Sequence, residues 1–192
     1  MHLRTMISGA VISAVAVIGV SAARQAPMAA KADIKGDGIT GTVQMREVDA
    51  QTGGAHDMKY MTGMKAVEVT VTVTGLKPGP HGIHIHAVGK CEAPAFTTAG
   101  GHFDPGPNGE MNPDTNHPFH MGDLPNIVAD ATGKATLKAT TNRVTLSDGP
   151  LSIFDADGTA IIIHANPDQG VTGAAGSGLS GGGRVACGVV SK

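Results

Sequence analysis

The chain has 192 residues with 14 basic and 16 acidic side chains, a net charge of −2, which suffices for one domain with a real core. That balance excludes the basic face of a nucleic-acid binder or of a cationic membrane-surface protein. With 28 Gly, no Trp, one Tyr and four Phe, and with Val, Ile and Thr filling its apolar runs, the composition is that of a turn-rich β protein rather than a helical bundle.

The chain opens on a targeting pattern. Arg4 gives a positive start, Ile7 to Val20 is apolar or small throughout, and Ser21-Ala-Ala23 supplies small residues. This predicts a secretory signal over residues 1–23, with cleavage near Ala23 or as late as Ala30. The apolar run is short for a membrane span, and an uncleaved anchor is the competing reading. Cleavage after Ala23 removes only Arg4 from the charge count and leaves 13 basic against 16 acidic residues, a net of −3. Residues 24–38 read as a flexible N-terminus, and residues 39–192 as the functional domain. The product is an exported protein, periplasmic or secreted, with no membrane segment once the signal is gone. An even pair of cysteines in such a compartment, here Cys91 and Cys187, usually bonds; two buried free thiols are the alternative.

Weak alternation from Gly41 to Val48 predicts a first strand, and Gly53-Gly54 a hairpin tip. The loop around that tip carries His56, Met58, Met61 and Met64. Thioethers with an imidazole suit copper(I), but methionines packing locally are the favoured reading. Ala66 to Val73 alternates cleanly and predicts a strand. Lys77-Pro-Gly-Pro80 turns the chain into His81-Gly-Ile-His-Ile-His86, also extended. In a strand, side chains two apart share a face, so His84 and His86 project together and Ile83 and Ile85 project oppositely. Two imidazoles aimed from one strand form the nucleus of a metal site; a polar strand face that happens to carry two histidines is the plainer reading.

Gly89 to Pro125 has little periodicity and is long for a structureless loop in a compact domain, which marks it as functional. It holds His102, Asp104, His117, His120 and Asp123. Strands are predicted again at Asn126 to Asp130, Ala135 to Thr141, Ala160 to Ala165 and Gly183 to Val190, with a second long loop over residues 166–183. The expected fold is all-β: an immunoglobulin-like Greek-key sandwich or flattened barrel of about eight antiparallel strands with two long functional loops. The histidines gather on the His81–His86 strand, the first long loop and the strand ending at His164, and Asp123 follows His120 by three residues. His and Asp serve zinc, and an all-His set serves copper.

Five motifs then converge. They are Gly82-Ile-His-Ile-His86, Gly100-Gly-His-Phe-Asp-Pro105, His120-Met-Gly-Asp-Leu124, Ile163-His164 with Asp168, and Gly183-Arg-Val-Ala-Cys-Gly-Val189. In this order the sequence resembles the copper/zinc superoxide dismutase family, exported bacterial type. The resemblance implies His84, His86, His102 and His164 as copper ligands, with His102 bridging to zinc. It implies His120 and Asp123 as zinc ligands, and Asp168 as the carboxylate that links a copper ligand to a zinc ligand. Arg184 becomes the cation that attracts and orients superoxide, Cys91 and Cys187 the family's disulfide, and His81 a structural residue. Superoxide is the implied substrate, copper and zinc the cofactors, and disproportionation to dioxygen and hydrogen peroxide the reaction, with Arg184 and His102 catalytic.

The chain departs from the pattern at two places. The further zinc histidine expected between Gly106 and Met111 is missing, and His117 is the candidate replacement; a solvent-facing His117 with zinc weak or lost is the alternative. The 169–183 loop is nearly all Gly, Ala and Ser, so long-range steering of the anion is expected to be weak. A copper-binding or copper-delivery protein on the same fold is the competing function, since fold alone does not establish turnover. A zinc hydrolase lacks a candidate general base. Monomer and homodimer both stay open.

Overall fold

The computed structural model describes residues 28–50, 64–105, 120–171 and 177–192. The expected hairpin tip at Gly53-Gly54, the methionines at 58 and 61, and His117 lie outside the described residues.

Nine strands form one antiparallel sheet: β1 Ala29–Gly36, β2 Thr40–Asp49, β3 Lys65–Thr74, β4 Gly79–His81, β5 Ile83–His86, β6 Ile127–Ala129, β7 Ala135–Thr141, β8 Ala160–His164 and β9 Arg184–Val189. The only helical element among the described residues is a short 3-10 turn, Thr97–Ala99. The sheet order is β4-β6-β7-β3-β2-β1-β9-β8-β5. Its two outermost strands, β4 and β5, are joined in the chain by Gly82 alone. The sheet must therefore curl until its ends meet, which makes a nearly closed barrel. The all-β expectation holds, in its flattened-barrel form.

Alternation explains why the strands form. In β3, Val67, Val69, Val71 and Val73 face inward and are almost fully buried, while Thr70, Thr72 and Thr74 face out. The stretch expected as a flexible N-terminus is a strand from Ala29 onward. Ala30, Ala32 and Ile34 are buried while Lys31, Asp33 and Lys35 are exposed, and β1 pairs with β2 from Ala29↔Arg46 to Lys35↔Thr40. Two alanines make a weak apolar signal, and partner strands on both sides compensate for it. The single expected strand His81–His86 is broken at Gly82 into β4 and β5. A Cβ on Gly82 would lie 3.2 Å from His84 Cε1 and 3.3 Å from the Asp168 backbone nitrogen.

Ile161 and Ile163 join the barrel core, whereas Ile162 joins a second cluster with Phe96, Ala99, Ala160 and Cys187 on the outer face of the same strand. Both faces of β8 are covered, so its unbroken apolar run is buried throughout. β5 pairs with β8 at His84↔Ile162 and His86↔Ala160, which sets both histidines on that covered outer face. Ile83 and Ile85 point into the barrel core. The strand periodicity thus separates the ligand side chains from the core ones as expected.

Candidate metal centre

Four imidazoles meet outside the barrel wall, beneath the long loops. His84 and His86 come from β5. His164 ends β8, where the pairing with β9 shifts register between Ile163 and His164. His102 lies in the first long loop, which runs back along β5: Phe103 donates its backbone N–H to the Ile85 carbonyl, and single-residue bridges pair His86 with His102 and His84 with Asp123. Ring centroids of His84 stand 4.0 Å from His102 and 4.8 Å from His164, and His86 stands 4.9 Å from His102. One ring nitrogen from each of the four lies within 4.8 Å of all the others.

The surroundings fix which nitrogen faces inward. His86 Nδ1 donates to the Gly100 carbonyl at 3.0 Å and His164 Nδ1 to the Gly182 carbonyl at 3.0 Å. Their Nε2 atoms are left facing each other 3.4 Å apart. His84 is turned the other way: Nε2 donates to Asp168 Oδ2 at 2.8 Å, and its Nδ1 is fully buried without a hydrogen-bond partner. Among the described residues it is the one buried side-chain polar atom left unpaired. A buried polar atom without a partner is costly unless a ligand satisfies it.

Burial pushes His86 well below the ordinary histidine value and takes His164 down to about 3, with neighbouring cations and rings adding to the effect. His102 is lowered for the same first reason. Three of the four rings are therefore neutral at pH 7, the form that binds a metal. The donor set is all nitrogen and largely buried, and fits copper.

The second group is His102, His120 and Asp123. His102 Nδ1 donates to Asp123 Oδ1 at 2.7 Å, and the His120 backbone N–H donates to Asp123 Oδ2 at 2.8 Å. Burial works against the Asp123 charge, but hydrogen bonds from His102 and His120 outweigh it and hold the carboxyl well below its usual range. The hydrogen bond to Asp123 raises His120. Two imidazoles and a carboxylate suit zinc.

Arg184 reaches from β9 across the first loop. Nη1 donates to the Phe96 carbonyl at 2.7 Å and Nη2 to the Gly100 carbonyl at 2.6 Å. Cys91 and Cys187 are disulfide-bonded with Cα atoms 5.6 Å apart, so the same loop is stapled to the same strand. Both ring nitrogens of His81 lie 2.8 Å from carbonyl oxygens, of His164 and Lys77, which leaves none for a metal.

A family model for copper/zinc superoxide dismutase (SODC) matches residues 39–190. The chain belongs to the copper/zinc superoxide dismutase family. It is 40% identical over 149 residues to a Superoxide dismutase [Cu-Zn] of Caulobacter vibrioides, covering 69% of this chain and 82% of that one. It is 40% identical over 131 residues to a Superoxide dismutase [Cu-Zn] of Deinococcus radiodurans, covering 63% and 68%. Among solved structures it is similar to a SOD-like protein from Bacillus subtilis, at TM-score 0.63 and 27% identity over 83% of this chain and 96% of that one. It is also similar to the clock protein EA4, at TM-score 0.63 and 29% identity over 88% and 96%. The chain is an enzyme of this family, with superoxide as its substrate and copper and zinc as its cofactors.

The fold therefore brings together His84, His86, His102, His164, His120, Asp123, Asp168 and Arg184. The second oxygen of Asp168 accepts the Gly170 backbone N–H at 2.7 Å. Three residues escaped the sequence reading. The Arg143 guanidinium donates to the Asp123 carbonyl. The side chain of Asn126 pairs with the Asp168 backbone. The buried Glu47 carboxylate on β2 accepts the backbone N–H groups of Leu146 and Ser147 and anchors the loop that carries Arg143. None belongs to a metal-ligand pattern, and only Asn126 adjoins one in sequence.

Proposed function

We propose that the chain disproportionates superoxide at one copper ion held by His84 Nδ1 and by Nε2 of His86, His102 and His164. His102 is shared, its Nδ1 turned toward a zinc site completed by His120, Asp123 and His117. The observation that carries this reading is the unpaired, buried Nδ1 of His84 facing three further imidazoles. The fourth zinc donor rests on sequence alone, since His117 lies outside the described residues.

Copper held there would supply the one-electron couple that the two halves of the disproportionation need. The chain's residues do the rest. Arg184, its guanidinium fixed by two loop carbonyls, presents positive charge beside His86 and orients the anion. His102 Nε2 takes up a proton in one half of the cycle and releases it toward the forming peroxide in the other; the second proton comes from solvent. Without metal, Asp123 holds the His102 ring by accepting from Nδ1, the nitrogen that zinc would take. Asp168 keeps His84 in one tautomer. We read residues 1–23 as a cleaved export signal, which the disulfide supports because such bonds persist in oxidising compartments.

Superoxide decay followed by stopped flow tests the proposal. Protein loaded with copper and zinc should speed decay far beyond the metal-free protein. Equal decay in both would overturn it.

A further inference from the structure

We propose that Asn126 is a positioning residue that couples the zinc half of the centre to the copper half by clamping the main chain of Asp168. The inference rests on the metal sites proposed above.

The side-chain amide of Asn126 uses both of its ends on one residue. Nδ2 donates to the Asp168 carbonyl oxygen at 2.8 Å, and Oδ1 accepts the Asp168 backbone N–H at 2.9 Å. Two parallel hydrogen bonds to one residue fix its orientation as well as its position. Of the Asp168 carboxylate, Oδ1 accepts from Gly170 N–H and Oδ2 from His84 Nε2. That last bond holds the proton on Nε2 and leaves Nδ1 as the buried inward donor.

The two ends of the clamp differ in how they are held. Asn126 sits between Leu124 and Ile127, both buried in the barrel core. The segment carrying Asp168 has no such anchor, since no residue from Ala165 to Val171 is buried. Backbone bonds hold its flanks: Asn166 N–H donates to the Gly181 carbonyl, Gln169 N–H to the Leu179 carbonyl and Gly82 N–H to the Asn166 carbonyl. Asn126 adds a tie from the barrel to the main chain of Asp168 itself.

The position of Asn126 also explains the coupling. It follows Asp123 by three residues, and the intervening Leu124 donates its backbone N–H to the Ile83 carbonyl on β5. Besides the shared His102 and the bridge that pairs His84 with Asp123, one described connection between the halves runs from Asp123 along the chain to Asn126, across the amide pair to Asp168, and on to His84. Ordering Asp123 with zinc thereby pre-orients His84 for copper, and linkage requires the reverse effect to be equal.

The test uses the disulfide-intact protein and two variants, Asn126→Leu, of similar shape without polar atoms, and Asn126→Asp, which loses one N–H donor. Copper(II) affinity is measured by chelator competition and the copper(II) EPR spectrum recorded, each with and without zinc. Melting of the metal-free forms checks folding. In the wild type, zinc should tighten copper binding. Asn126→Leu should weaken copper binding about tenfold, near the lower end of what partners behind metal ligands contribute, change the EPR parameters and abolish the effect of zinc. On an Asp168→Ala background the same substitution should add nothing, because its action runs through that carboxylate. If Asn126→Leu does not fold, Asn126→Asp carries the test with the same expected direction. Copper affinity within twofold of wild type with an unchanged spectrum, or full additivity with Asp168→Ala, would overturn the inference alone. A wild type that takes up no copper would overturn it together with the proposed function.

Discussion

His86 and Arg184 share one acceptor: the Gly100 carbonyl oxygen takes hydrogen bonds from His86 Nδ1 at 3.0 Å and from Arg184 Nη2 at 2.6 Å. A proposed copper ligand and the cation proposed to orient superoxide are thus held in register through a single atom. The loop that presents this carbonyl is stapled to β9 by Cys91–Cys187 and carries the buried Phe96.

Arg184→Gln should cut the superoxide dismutation rate about tenfold or more while copper content stays near wild type, since the residue orients substrate rather than holding metal. Arg184→Lys should recover only part of the loss, because one ammonium cannot reproduce a fork spanning two carbonyls. Stopped-flow rates set against copper content decide this.

Asp123→Ala should weaken zinc binding at least about a hundredfold, because the carboxylate contacts both His102 and His120. Copper should still bind, since His84, His86 and His164 take their own orientation from Asp168, Gly100 and Gly182. Metal analysis after dialysis at matched pH checks both halves of the statement.

The metal-free protein should lose stability as pH falls from 7 toward 5. His86, His102 and His164 have folded-state values below the ordinary 6.5, with His164 near 3. Below pH 6.5 the unfolded chain therefore binds more protons than the folded one, and each such group costs up to about 1.4 kcal/mol per pH unit until its folded value is reached. Asp123, held below its ordinary 3.8, adds stability that is lost only under more acid conditions. His120, raised by Asp123, acts with the opposite sign: its contribution is present below 6.5 and fades as pH rises past its folded value. One group opposes three, so urea midpoints should fall with acidification; a flat profile would contradict the account.

Cys187→Ser should lower stability by about 2–5 kcal/mol, since the bond closes a loop spanning 96 residues. It should also reduce dismutation, because the loop presents the Phe96 and Gly100 carbonyls to Arg184. Urea unfolding and stopped-flow rates check the two effects.

Much of this was legible because strand periodicity and ligand chemistry coincide. Alternation in His81–His86 separates Ile83 and Ile85 from His84 and His86, and the structure divides them the same way. The non-periodic stretch after Gly89 read as functional because it held histidines and no core pattern. Other features depend on contacts that leave no local trace. β1 was hidden because Ala30 and Ala32 contribute little apolar contrast, and pairing with β2 and β9 supplies the order that they do not. The break at Gly82 arises from crowding against His84 and Asp168, residues distant or oppositely facing in any local reading. Arg143 and Glu47 sit in runs with no metal-ligand spacing, and only the fold brings Arg143 to Asp123.

The nitrogen count at copper tests the central claim most directly. Copper(II) EPR and X-ray absorption on the copper- and zinc-loaded protein should show one copper per chain with four imidazole nitrogens, and His164→Ala should remove one of them. Fewer than four nitrogens in the wild type, or a count unchanged by His164→Ala, would contradict the account.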